Sequence, residues 1–465
     1  MNITVYVMKK NGGSMKKIVL LLVMMMMISL VLFAGGQKAV ETQAEATGEF
    51  DWKQFDGQSI VACFPNHVTY NALMPLIPEF EALTGIKVDV DLLQYMSMHD
   101  KEVLEMSKPK GDYDLISMVC MWKSEFGTAD MLTPLEPFFQ NSSLAYPDYD
   151  FNDLVPAYVE NTGLVGGDKI YLGGPGSVLY GVPFGAETSI LIYRKDIFDK
   201  YNLKVPDTYD DVLEAAKFIS ENVDGVYGMT SRGAAGHQAN AGWLLHASPF
   251  GATTFDENWE PAFNSPKGIA ALKWMKEMFS YGPPGMTSFG QDGEFQAFLQ
   301  GDAAMYLDAS VFAGKARDPK QSKVYDKLGY AMHPKQENRM SESGGFGLAI
   351  PANASHPEAA FLFMQWITSK ETERKVIENG GAPFRMSSVE DPALQAKYPD
   401  FKVLAKQLPY VNPDWRPIIP EWGELDNLIG IAVNQALTGE KEPQQAMDDI
   451  VAPVREIMVR AGYIK

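Results

Sequence analysis

Residues 59–93 read SIVACFPNHVTYNALMPLIPEFEALTGIKVDVDLL, and three features of this stretch decide the fold. Residues 59–64 are a short apolar run that stops at Pro65 and Asn66, as a buried strand does. Leu76, Phe80 and Leu83 then recur at helical spacing until Gly85, a residue suited to close a helix because it has no Cβ. Residues 87–93 alternate apolar and polar, the period of a strand. Working outward, 102–106 predict a weak helix and 113–120 (YDLISMVC) a further buried strand. Strand, helix, strand, helix, strand is the wiring of a parallel sheet flanked by helices. Such sheets bind ligands beyond the carboxyl ends of their strands. Here those ends are 64–67 and 120–123.

A Gly-rich stretch at 163–185 interrupts this series and leads through GVPFGAET (181–188) into a strand at 189–193. A second α/β series follows. Pro206, Asp207 and Thr208 announce a helix over 209–222. Helices are expected at 265–280 and 293–299, a strand at 303–307, and a second Gly-rich apolar segment at 344–351. Further helices at 358–369, 371–379, 422–437 and 444–461 complete the chain. The reading is an α/β fold of two lobes.

Composition narrows the function. The 465 residues carry 59 acidic and 40 basic side chains, for a net charge of −19. That balance argues against nucleic acid, which is recognised through clustered Lys and Arg. Eight Trp, 25 Phe and 20 Tyr exclude a solvated disordered chain. Residues 15–36 join a Met-Lys-Lys start to an apolar run at 18–33 and small residues at 34–36. This is the pattern of a secretory signal peptide, and the run is shorter than the roughly 20 residues that span a bilayer. Residues 37–49 read as a flexible linker. The protein is therefore expected in the periplasm or outside the cell, with no lipobox cysteine to anchor it.

The search for reaction chemistry returns little. The six histidines form no His-x-His or His-Glu-x-x-His pair, so no metal site is expected. Asp148, Asp150 and Asn152 open like a calcium loop, but Asp153 and Val159 stand where Gly and Glu are required; a turn with capping carboxylates is the better reading. Phosphate loops and the Gly-x-Ser-x-Gly elbow are absent, and no cofactor is implied. Cys63 and Cys120 end two strands expected to be neighbours, either bridged or as two buried small residues.

What remains is a set of aromatic, polar and glycine residues at element ends: Phe64, His67, Trp122, Glu187, Arg232, Trp243, Asp308, Gly345, Phe346, Arg385 and Trp422. Aromatic rings against C–H faces, with charged groups bridging hydroxyls, suit a sugar or polyol. For Arg232 and Asp308 a surface or interlobe ion pair is the competing reading, and for each Trp plain core packing.

Four stretches resemble the extracellular solute-binding proteins of family 1, the binding components of ABC sugar importers. They are PEFEALTGIKV (78–88); GVPF (181–184) through LIYRKDIF (191–198) and PDTYDDVL (206–213); FLQGDAAMYLD (298–308); and GGFGLAI (344–350) with PEAA (357–360). Within the family the nearest likeness is to the sorbitol/mannitol group, through TSRG (230–233), DENWEP (256–261), NSP (264–266) and GPPG (282–285). That group tends to have Trp where this chain has Phe346. The resemblance implies a type II periplasmic-binding-protein-like fold, each lobe a mainly parallel sheet flanked by helices, with a hinge. Lobe 1 would comprise 50–181 and 350–400, and lobe 2 188–345 and 402–465. It also implies a monomer that captures a sugar or polyol and delivers it to the transmembrane subunits of an ABC permease. Arg232 and Asp308 would meet ligand hydroxyls. An exported glycosidase, or a binding protein for a non-carbohydrate solute, is the alternative.

Overall fold

The structure, a computed structural model, describes residues 48–465. The segments read as signal peptide (15–36) and most of the linker (37–47) lie outside the described residues. Strands β1 (Ser59–Pro65), β2 (Lys87–Leu93) and β3 (Leu115–Val119) are parallel, with β1 in the middle. The helix Ile77–Thr84 between the first two ends on Gly85 at φ 77°. A short ribbon of β4 (Leu164–Val165) and β5 (Val178–Leu179) precedes β6 (Gly181–Pro183). The chain then enters a second sheet as β7 (Ser189–Arg194), followed by β8 (Tyr227–Thr230), β9 (Ala303–Ala309) and β10 (Leu328–Ala331). It returns to the first sheet as β11 (Phe346–Ala349). The strand orders are β2-β1-β3-β11-β6 and β10-β7-β9-β8.

Each sheet contains one reversed strand. β11 is antiparallel to both β3 and β6, and β7 is antiparallel to both β10 and β9. These two are the strands by which the chain arrives from the other sheet. The connections feeding them run side by side: the Glu187 amide donates to the Gly344 carbonyl (3.2 Å) and the Gly344 amide to the Glu187 carbonyl (3.0 Å). Their close approach requires glycine at 345. Its φ is 88°, and a Cβ there would lie 2.2 Å from the Gly185 carbonyl oxygen.

The helix Pro357–Ile367 is buried from Ala359 to Ile367, with Phe361 against Phe139 and Phe363 against Phe80. Gln365 ties it to the first sheet's surroundings through Leu144 and Tyr146. Helices Tyr209–Asn222, His237–Ala247 and Pro266–Phe279 pack around the second sheet, joined by Trp422–Leu437 and Pro443–Arg460. The helix start at Thr208 is a full capping box. Its hydroxyl accepts from the Asp211 amide (3.1 Å), and the Asp211 carboxylate accepts from the Thr208 amide (3.0 Å). Among the described residues no helix is long and apolar enough to cross a membrane.

Cys63 and Cys120 are both buried and free. The ladder pairs Cys63 with Ile116, so Cys120 lies four residues further along, about 13 Å at strand rise. A bridge needs Cα atoms within about 7 Å. Native protein should therefore show no reactive thiol in a colorimetric titration and two after denaturation. A native thiol count of two would contradict the packing.

Candidate ligand-binding site

A cavity of about 470 Å³ opens where the two sheets face each other. The first sheet contributes the turns after its parallel strands: Asn66 and His67 after β1, Gln94 to Met96 after β2, and Met121 after β3. Phe346, the first residue of β11, closes this wall, with its ring 5.1 Å from that of His67. His67 also accepts from the Thr69 amide at the start of helix Val68–Leu73. Burial among these rings, with the charge of Lys315 added, pushes its pKa down to about 3. The imidazole is therefore neutral.

The opposite wall carries Arg232, two residues after β8, and Gln238 in the first turn of helix His237–Ala247. Gln238 reaches across the cavity and donates to the Tyr95 hydroxyl (3.2 Å). Trp415 and Arg416 form the floor beside the connecting segments. The Trp415 indole donates to the Ser343 carbonyl (2.7 Å), and the Arg416 guanidinium lies over its ring at 4.7 Å.

Electrostatics set the character of the floor. Arg232 is held bidentately by Asp308, Nε to Oδ2 at 2.7 Å, and its Nε also reaches Glu294 at 3.3 Å. Against the burial that would raise it, this guanidinium keeps the Asp308 carboxyl below its ordinary range. Glu187 and Glu342, one on each connecting segment, have no such partner. Burial raises both, and each feels a neighbouring carboxylate: Glu342 is pushed up to about 8 and Glu187 well above the usual range. Glu342 and Arg416 line the cavity as residues, but Glu342 Oε1 and Arg416 Nε are shut off from it and have no hydrogen-bond partner among the described residues. Buried polar atoms are normally satisfied, so these two make the floor costly to bury and short of partners. Among the described residues no group of three or more His, Cys, Asp or Glu is arranged to hold a metal ion.

Of the eleven residues singled out from sequence, five line this cavity: His67, Glu187, Arg232, Gly345 and Phe346. Six do not. Phe64 points into the core, with its ring 5.1 Å from Tyr70 and 6.4 Å from Phe363. Trp122 packs on His99 and Phe126, and its neighbour Met121 takes the wall position. Trp243 is fully buried in its helix and donates to the Gly268 carbonyl (3.2 Å). Trp422 opens its helix facing inward. Arg385 is a fully buried staple that donates to the carbonyls of Tyr149, Asp150 and Thr368. Asp308 stands behind Arg232, off the cavity surface, in an ion pair that is buried beside one sheet and is neither at the surface nor between lobes.

The sequence reading missed Tyr95, Gln238, Glu342, Trp415 and Arg416. The strand-end rule, applied to β2 as it was to β1 and β3, would have found Tyr95. The others carry no local signal.

Two α/β sheets wired by paired crossings, with a polar and aromatic cavity between them, define a two-lobed binding protein. The chain belongs to the family described as bacterial extracellular solute-binding protein, whose profile matches residues 65–374. It is 29% identical over 396 residues to a mannitol-binding protein of Pseudomonas aeruginosa, covering 80% of this chain and 87% of that one. Among solved structures it resembles a solute-binding protein of Agrobacterium radiobacter in complex with ribitol, at 28% identity and TM-score 0.78, covering 86% of this chain and 99% of the other. A solute-binding protein of Agrobacterium vitis with bound D-mannitol matches at 29% identity and TM-score 0.76, covering 88% and 100%.

Proposed function

We propose that this protein captures a sugar alcohol or sugar in the cavity and passes it, chemically unchanged, to the membrane subunits of an ABC importer. It would work as a monomer in the periplasm or at the cell surface. The observation that carries this reading is the composition of the cavity. Phe346 and Trp415 offer flat apolar surface, while Glu187, Gln238, Glu342 and Arg416 line the same cavity with polar side chains. A polyol presents C–H faces and hydroxyls that both donate and accept, which fits that set. The mannitol- and ribitol-binding relatives support the same class of ligand.

Closure is proposed to bend the chain at 184–188, at 341–345 and near 400. Lobe 1 would then comprise 50–181 with 350–400, and lobe 2 188–345 with 402–465. On this wiring Tyr95 belongs to lobe 1 and Gln238 to lobe 2. A ligand that bridges the lobes favours the closed form by its extra contacts.

A calorimetric screen of alditols, sugars and amino acids tests the proposal. Saturable binding of an alditol, with the compound recovered intact, is the expected result; recovery of a cleaved or oxidised product would overturn it. Tryptophan fluorescence should report binding through Trp415 rather than through Trp122, Trp243 or Trp422, which are packed away from the cavity. Trp415→Phe should therefore remove most of the ligand-dependent signal. The substitution should cost about 1 kcal/mol of stability, the net worth of the lost hydrogen bond from the indole to the Ser343 carbonyl, and leave most of the affinity. A signal of full size in that variant would place the reporting indole elsewhere.

A further inference from the structure

We propose that Glu187 and Glu342 act together as the specificity clamp of this site, accepting from ligand hydroxyls and excluding sugars that carry a carboxylate or phosphate. This deepens the polyol reading above and rests on it.

The argument begins with the backbone. The two connecting segments pair at Glu187 and Gly344, which brings Glu187 and Glu342 to the same floor of the cavity. The Glu187 side chain lies over Gly344, where a Cβ would meet its Oε1 at 3.1 Å. Both carboxyls are more than nine-tenths buried. Neither carboxyl makes a side-chain hydrogen bond among the described residues; Glu342 Oε1 is shut off from the cavity, which leaves Glu342 Oε2 and the Glu187 oxygens to meet a ligand. Such groups are costly unless something donates to them.

Charge balance then decides what that something is. Four acids surround the floor: Glu187, Glu294, Asp308 and Glu342. Among the described residues only Arg232 and Arg416 face them, and Arg232 is already committed to Asp308 and Glu294. Lys315 and Asp292, of opposite sign, sit at the rim and offset each other in charge. An anionic ligand group would thus meet unpaired carboxyls with no free guanidinium except Arg416. A hydroxyl donor meets acceptors. Burial, with neighbouring acids added, raises the proton affinity of both carboxyls, so their negative charge and the exclusion of anions grow as pH rises, and the comparison belongs at alkaline pH.

The test compares D-mannitol with D-mannonate, and ribitol with ribonate, by isothermal titration calorimetry at pH 9. It uses the full chain and its Glu187→Gln, Glu342→Gln and double variants. Glutamine keeps size and an acceptor oxygen but removes the charge. The native protein should prefer the alditol by about 100-fold or more, the scale of a like-charge juxtaposition in a desolvated site. The double variant should bring the two within about tenfold, mainly by gaining the acid. Variants that bind the alditol but keep the native preference would overturn the clamp, as would a native protein that binds both compounds equally. A native protein that binds no alditol while binding another class of solute would instead overturn the polyol reading itself.

Discussion

Arg232→Ala should lose measurable ligand binding and unfold at a markedly lower urea concentration. The guanidinium is the only cation paired with Asp308 and Glu294 among the described residues, and all three side chains are buried. Removing one member of a buried ion pair leaves the others as uncompensated charges, at a cost of about 3–5 kcal/mol. Part of that loss will be relieved as the acids take up protons, so the deficit should be largest at alkaline pH and shrink on acidification. Arg232→Lys restores charge but not the two-pronged contact with Asp308, and should recover stability more fully than affinity. Equilibrium denaturation beside calorimetric titration reads both effects. A variant as stable as the parent would show that the pairing with Asp308 contributes nothing to the fold.

Arg385→Ala should be comparably destabilising and yet leave the affinity of the folded protein unchanged. Its guanidinium ties together three backbone carbonyls, stands over the Tyr149 ring at 5.0 Å, and reaches Asp153 at 3.3 Å. Truncation orphans those acceptors in a region closed to water. At about 1–3 kcal/mol for an unsatisfied buried group, the total should reach several kcal/mol. Calorimetry on the folded fraction should give the parental dissociation constant. A large loss of affinity at full stability would return Arg385 to the ligand site.

The contrast between these two arginines shows where sequence reading reaches its limit. Both occur in loops after regular elements, and nothing local distinguishes them. One faces a cavity, and the other closes the gap between 149–153 and 368. The strands with apolar runs, the Gly85 stop and the N-cap signal at Thr208 were legible because each is a short-range signal. β8 and β10 were not, since each has four residues with an interior glycine and no apolar run. Helix His237–Ala247 is buried on nearly every side and so displays no stripe to read. The direction of β7 and β11 depends on neighbours far away in sequence. Aromatic residues at element ends were sound candidates in kind. Trp243 and Trp422 nevertheless turn inward, while Trp415 emerges from 411–421, a segment without any period.

The place of β11 also bears on the order in which the molecule can be made. β6 has one ladder neighbour, and that neighbour is β11. While a ribosome is still producing residues 189–331, the first sheet has an open flank beside β3 and a stranded β6. That gap closes only after residue 349 has emerged, by which time the whole interior of the second sheet exists. The helices Trp422–Leu437 and Pro443–Arg460 that pack around that sheet come later still, so neither unit can be completed early in synthesis. Closure across so long a separation is slow, and the nascent chain stays threadable for most of its synthesis. For a polypeptide proposed to work outside the cytoplasm, that delay would keep open the interval in which it can be passed through a membrane pore.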